Sequence, residues 1–332
     1  MIARAADLCV EEPHAHEADV AMLVASRSEG TLAHACFCEL GSYLRPGDLL
    51  VVNTSATLPA ALPGVLDGEE VDLHLSTPAT DRDWVVELRT ADRLPLRHPP
   101  IGASVRLPGG ARAELLAPYL GSSRLSVARL SLGEPVEDYL GRHGHPIRYR
   151  HSVDERPIAD YQTIFARDPG SAEMPSAARP FTGELVAELA ARGVMFAPVT
   201  LHCGVSSLES GEHPYPERYR VPAQTAWLVN SVRWRGGRVI AVGTTVVRAL
   251  ETVAAPDGAV AAGSGVTNLT VTPARGLRSV DGLITGWHEP ESSHLSLLEA
   301  AAGPDLLRRS YDAAYAGGYR FHEFGDSHLI LP

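Results

Sequence analysis

The stretch that most constrains the fold is residues 238–252, Arg-Val-Ile-Ala-Val-Gly-Thr-Thr-Val-Val-Arg-Ala-Leu-Glu-Thr. Val239–Val242 is short, β-branched and ends at Gly243, the pattern of a strand buried on both faces. Val247, Leu250 and Val253 then give a helix one apolar side. Thr244 or Thr245 is expected to cap that helix, because a threonine hydroxyl accepts a hydrogen bond from an orphan amide of the first turn. A strand, a tight turn and a helix in this order aim backbone N–H groups and the positive end of a helix dipole at one place. Arg248, expected in the first turn, adds a forked cation. Two readings follow: a seat for an anionic or strongly polar group, or an ordinary connection with Arg248 in solvent.

The rest of the chain divides by texture. Asp48–Asn53 reads as a strand ending in the polar run Asn53-Thr54-Ser55, after a short helix around 37–44 and a Pro46-Gly47 turn. From Gly64 to about Gly144, short alternating segments (71–75, 84–88, 104–107, 111–116, 124–131) recur between turn residues, which predicts a small antiparallel barrel closed by a helix over 134–142. Beyond Arg156 the pattern returns to α/β. It has a helix over 183–192, a strand 194–201 delivering His202, Cys203 and Gly204, a helix from Pro222 to Trp234, and helices at 295–302 and 306–316 before a last strand. The expected fold is a mixed α/β main domain built from 1–63 and 152–332, interrupted by a β-barrel domain at 64–151. A chain of 332 residues, 45% hydrophobic, has ample material for two cores.

Charge and cysteine usage narrow the function. The net charge of −11, from 29 basic and 40 acidic residues, argues against non-specific nucleic-acid binding. A local basic surface is still available at 142–156, which holds Arg148 and Arg150 with Tyr149; a solvated loop is the plainer reading. The four cysteines, Cys9, Cys36, Cys38 and Cys203, show no zinc spacing, and reduced thiols in a cytoplasm are the simplest expectation. No apolar run is long enough to span a membrane, and the first twenty residues lack the order of a signal peptide.

Seven polar segments add up: 48–64 (DLLVVNTSATLPAALPG), 161–165 (YQTIF), 170–182 (GSAEMPSAARPFT), 199–204 (VTLHCG), 242–251 (VGTTVVRALE), 280–293 (VDGLITGWHEPESS) and 319–331 (YRFHEFGDSHLIL). In order and spacing they resemble the S-adenosylmethionine:tRNA ribosyltransferase-isomerases of queuosine biosynthesis, from about residue 30 onward. The resemblance implies that the ribosyl part of S-adenosylmethionine is transferred to the aminomethyl group of a 7-deazaguanine base in a tRNA anticodon, with release of adenine and methionine. It implies no metal. Such chemistry needs a base for the proton beside the sulfonium, a proton donor for adenine and a holder for the methionine carboxylate. Residue by residue, the resemblance offers His202, His288, Glu217 and Asp326 as catalytic candidates, although either histidine can equally be a hydrogen-bonded core residue. Asn53, Gly204, Gly243, Thr244, Thr245, Arg248 and Thr285 are candidates for the cofactor, and Tyr161, Gln162, Arg179, Arg148 and Arg150 for the acceptor.

The departures from the family pattern cluster on these same segments. Alanines stand at Ala56 and Ala61 where arginines are usual, Ala178-Arg179-Pro180 replaces a Gly-Leu-His, Tyr215 replaces a histidine, and Glu291 replaces a lysine. His294, Glu299, His322, Glu323 and His328 are new polar groups. Fewer cations weaken phosphate binding. This favours a divergent paralogue, a transferase or lyase acting on a small molecule, over strict tRNA activity; a non-catalytic S-adenosylmethionine-binding protein is a further reading. A metal site among His288, His294, His322 and His328 lacks any ligand spacing. The chain is expected to be a cytoplasmic monomer.

Overall fold

The computed structural model describes residues 20–149, 156–205, 214–288 and 294–332. Strands β1 (Ala21–Ser26) and β2 (Thr31–Cys36) form a hairpin, followed by a 3-10 turn at Phe37–Ser42 and strands β3 (Leu49–Asn53) and β4 (Ser55–Thr57). Next come β5 (Ala61–Leu66), β6 (Glu69–Pro78), β7 (Asp83–Thr90), β8 (Ser104–Arg106), β9 (Arg112–Pro118), β10 (Leu125–Ser131) and α1 (Val136–His143). The chain continues through β11 (Asp168–Ser171), α2 (Gly183–Ala191), β12 (Met195–Leu201), β13 (Glu217–Val221), α3 (Ala223–Trp234), β14 (Val239–Val242) and α4 (Thr244–Thr252). It ends with β15 (Gly263–Thr267), β16 (Gly282–Gly286), α5 (His294–Ala302), α6 (Pro304–Ala316) and β17 (Ser327–Leu331).

Nine strands make one mixed sheet in the order β15-β13-β12-β3-β14-β16-β17-β1-β2. Its centre, β12-β3-β14-β16, is parallel. Alternation along β3 shows why it is central: Leu49 and Val51 pack into one apolar cluster with α3, α4, α5 and α6, while Leu50 and Val52 pack into another with the 3-10 turn and α2. The mixed α/β class is therefore observed. The hairpin β1–β2 and the strands β13 and β15, which have no clean period, are additions to the sequence expectation.

Strands β5 to β10 close into an antiparallel barrel in the order β10-β7-β6-β5-β8-β9, with α1 following it. The barrel is inserted between β4 and β11, which pair in parallel with each other. Its core is apolar, but its wall also buries charge. Glu87, Arg89, Arg124 and His74 are buried on the outer face of β6, β7 and the start of β10, opposite the face that carries Leu73, Leu75, Val86 and Leu88. Arg89 Nε and Arg124 Nη1 each lie 2.7 Å from the Glu87 carboxylate. Burial alone would raise Glu87, but His74 beside it and the two guanidinium groups outweigh that and hold it at about 2. The Cys36 and Cys38 sulfurs lie against each other, and Cys203 is a buried thiol whose pKa burial pushes far up. Among the described residues no helix is long and apolar enough to cross a membrane.

Glu87→Gln should destabilise the protein by about 3–5 kcal/mol in urea unfolding, because two buried guanidinium groups lose their counter-charge. The carboxylate's folded value lies below its ordinary 4.5, so its stabilisation is in place above pH 4.5 and is lost as pH falls towards about 2. Melting followed across that window should show the loss in the wild type and not in the variant.

Candidate active site

Parallel strands present their carboxyl ends on one edge, where ligands of open α/β sheets bind. Here β12, β14 and β16 deliver Cys203-Gly204, Gly243-Thr244-Thr245 and Thr285–His288, and the barrel supplies the facing wall through Ser76, Arg89 and Leu125. The cavity between them is about 390 Å³, within the usual size of small-molecule sites.

One wall is the start of α4. Gly243, at φ 102°, is its N-cap, so neither threonine caps the helix as the sequence suggested. A side chain at Gly243 would lie 3.3 Å from Thr245 Oγ1 and 3.4 Å from Ala177 Cβ, so glycine is needed for both backbone and space. No side chain caps α4; the Val246 and Val247 amides donate to the Gly243 carbonyl, and the Thr244 and Thr245 amides ahead of them belong to residues that line the cavity. Asn53, completely buried, sits beneath: its amide donates to the Leu201 carbonyl at 2.8 Å and to Thr245 Oγ1 at 3.3 Å.

Arg248 stands a turn further along α4 than expected, and it is not in solvent. It pairs with Glu217, and Nε donates to the Leu269 carbonyl at 3.1 Å. The other Glu217 oxygen accepts from the Gly204 amide at 2.8 Å. Arg248 and Glu217 thus border the cavity as a mutually neutralising pair that ties α4 to β13.

His288 follows β16, the strand beside β14, and lines the same cavity. Its Nε2 is 3.1 Å from Thr285 Oγ1, its backbone is bracketed by the Tyr311 hydroxyl, and its ring stacks on His294 at 4.5 Å. Burial first, then the neighbouring histidines, holds His288 well below 6.5; burial and Arg248 bring His294 to about 4. Both rings are neutral at pH 7. His322, in the left-handed region at φ 70°, and Glu323 complete this side. Among the described residues, no group of three or more His, Cys, Asp or Glu side chains is arranged to hold a metal.

Other candidates stand outside the cavity. His202 Nδ1 is 2.8 Å from Ser55 Oγ, and its ring lies against Gly170, where a Cβ would come within 2.6 Å of it. Burial, then Arg218, lowers His202 to about 4. Asp326 accepts from the Ala21 amide at 2.8 Å and the Arg320 amide at 2.7 Å, fastening β1 to the segment before β17. Tyr161 packs on Phe324, and Gln162 brackets the Thr57 backbone at 3.0 and 2.8 Å. Arg179 donates to the Phe324 and Gly325 carbonyls at 3.1 Å each. Arg148, half-buried, is on the barrel side near Asp72 and His145, and Arg150, like Glu291, falls outside the described residues. The sequence reading missed Tyr149 as a cavity residue and Glu173 altogether, both of which line the cavity. An isolated acid in the small and apolar run Ala172-Glu173-Met174-Pro175 was the available signal for the latter.

The model of a family described as queuosine biosynthesis protein matches residues 5–330. An S-adenosylmethionine:tRNA ribosyltransferase-isomerase of Geobacter sulfurreducens is 36% identical, with 98% of this chain and 96% of that protein covered. One from Gloeobacter violaceus is 38% identical, over 98% and 93%. The crystal structure of an S-adenosylmethionine tRNA ribosyltransferase from Thermotoga maritima matches with a TM-score of 0.55 at 28% identity, over 98% of this chain and 96% of that one.

A double-mutant cycle of Arg248→Ala and Glu217→Gln in urea unfolding should give a coupling energy of about 1–3 kcal/mol. Independent, additive effects would show that the pair does not hold α4 to β13.

Proposed function

The chain belongs to the queuosine biosynthesis protein family, and on that premise we propose that it transfers the ribosyl moiety of S-adenosylmethionine to tRNA in the cytoplasm, releasing adenine and methionine. It is an S-adenosylmethionine-using transferase-isomerase, as its relatives' names describe. The acceptor expected from the family resemblance is the aminomethyl group of a 7-deazaguanine base. The observation that carries this reading is the placing of the uncapped α4 start and the neutral His288 in one cavity.

The first-turn amides of α4, with Thr244 and Thr245, hold the methionine carboxylate, as a helix N-terminus holds an anion. Arg248 acts by fixing α4 and Glu217. His288, kept unprotonated at pH 7 by burial, is free to receive a proton at the ring nitrogen that does not face Thr285. The barrel wall excludes water from the reacting end. We take tRNA as the acceptor in preference to the small molecule that the site departures favoured. Relatives named for tRNA activity align over nearly the whole chain. Two of the departures also carry no weight against RNA: Ala61 is completely buried in the barrel, and Tyr215 is tied to the barrel at Ser122 by a 3.0 Å hydrogen bond.

Mass spectrometry of S-adenosylmethionine incubations should show adenine and methionine only when tRNA carrying the aminomethyl-deazaguanine base is present, with a matching mass gain on the RNA. Cleavage without RNA would support the small-molecule reading, and intact S-adenosylmethionine in both incubations the non-catalytic one. His288→Ala should lower kcat about 10²- to 10⁴-fold while leaving S-adenosylmethionine affinity within a few-fold; an unchanged kcat would remove His288 from proton transfer.

A further inference from the structure

A chain of net charge −11 holds RNA only where cations are gathered in one place. Strand β13 gathers two of them. Its side chains alternate: Glu217, Tyr219 and Val221 face α4 and the apolar cluster beneath it, so Arg218 and Arg220 face the other way. Register sets their neighbours. On β12, Thr200 stands opposite Arg220, and the His202 amide donates to the Arg218 carbonyl at 3.0 Å. On β15, at the edge of the sheet, Val266 stands opposite Arg218 and Ser264 opposite Arg220. Ser264, Val266 and Arg220 are all exposed, Val266 by 62%. The helices α3 to α6 pack on the opposite face. This end of the sheet therefore shows solvent an open face carrying two guanidinium groups.

Neither group is saturated within the chain. Arg218 is half-buried, and its Nε is buried with no hydrogen-bond partner among the described residues. Glu137 of α1 acts on it through space. A buried donor left unpaired is costly, and an anion from outside the chain removes that cost. Arg220 reaches Asp168 at 3.4 Å, but the same carboxylate oxygen already accepts from Thr54 at 2.8 Å and Thr200 at 3.0 Å. An exposed ion pair of that length contributes little. Both arginines act on His202, which places the three in one patch. Arg167, exposed and next to Asp168 in sequence, adds a further cation.

Charge and position select the occupant. Arg218 and Arg220 are spaced roughly 6.8 Å apart along the strand, a step that neighbouring phosphates of one nucleic-acid strand can match. Exposed Val266 beside them offers apolar surface to a sugar or base. The patch also starts at the cavity, because Glu217, one residue before Arg218, lines it together with Gly204. A nucleotide whose base enters the cavity carries its flanking phosphates past the start of β13.

We propose that Arg218 and Arg220, on the open face of β13, bind the phosphate backbone of the acceptor RNA beside the cavity. This rests on the reading of tRNA as the acceptor. The test is the salt dependence of binding to tRNA carrying the aminomethyl-deazaguanine base, for wild type, Arg218→Gln, Arg220→Gln, the double variant and Arg308→Gln. Arg308 is an exposed arginine of α6, paired with Asp312. The slope of log affinity against log salt should fall by about one unit in each β13 single variant and about two in the double. Arg308→Gln changes the net charge equally and should keep the wild-type slope. Unmoved slopes in the β13 variants, or an equal fall in Arg308→Gln, would overturn the proposal. A wild type that binds no tRNA refutes the acceptor reading and this proposal together, whereas tight binding with unmoved slopes refutes this proposal alone. Arg218→Lys keeps the charge and should keep the slope, which a purely structural role for the guanidinium does not predict. Arg220 is exposed, so its variant reads out the patch if Arg218→Gln does not fold.

Discussion

The side-chain amide of Asn53 is the constraint on which the site depends. At the end of β3 the parallel strands β3 and β12 part, and their backbone groups lose their partners. Asn53 replaces them: its oxygen accepts from the Leu201 and Ser55 amides at 3.0 and 3.1 Å, and its nitrogen donates to the Leu201 carbonyl and Thr245. One buried amide thus continues the ladder past its end and fixes the first turn of α4. An aliphatic residue of the same size would leave those backbone groups unsatisfied in the core. The cavity opens beside this point because the sheet edge there is held open by a side chain instead of fraying.

Much of this architecture was legible in the sequence, and the reasons are local. Period-two alternation marked β6, β7, β9 and β10, and helical spacing with Thr182 and Pro222 at the starts marked α2 and α3. Strand β13 was read as loop because its residues, Glu-Arg-Tyr-Arg-Val, owe their conformation to pairing with β15 and not to their own propensity. The same limit applied to the site. Polar residues at strand ends announce themselves by type, but the side of the sheet edge each one faces is decided by tertiary packing. His202 and His288 read alike in sequence. One is turned under Gly170 towards Ser55, and the other faces the cavity. Asp326, a catalytic candidate, and Gln162, an acceptor candidate, spend hydrogen bonds on backbone groups.

The barrel contributes charge as well as shape. Its buried Glu87–Arg89–Arg124 group is a poor source of net stability, since desolvation offsets most of the Coulombic gain. Its effect is geometric: Arg89 cannot move without leaving Glu87, and Tyr149 cannot move without leaving Arg89.

The pairing of β4 with β11 has a consequence for how the molecule assembles. These two strands are the barrel's tethers, and their hydrogen bonding brings residues 55–57 beside 168–171. Once the barrel has formed, the long excursion between the tethers counts, for the host sheet, as a short loop, and the entropy of closing β3 onto β12 falls accordingly. Before it forms, that closure has to bring strands remote in sequence together in parallel. The β4–β11 pairing thus shortens the loop that the host sheet has to close, and it is the same pairing that sets the barrel beside the sheet edge where the cavity lies.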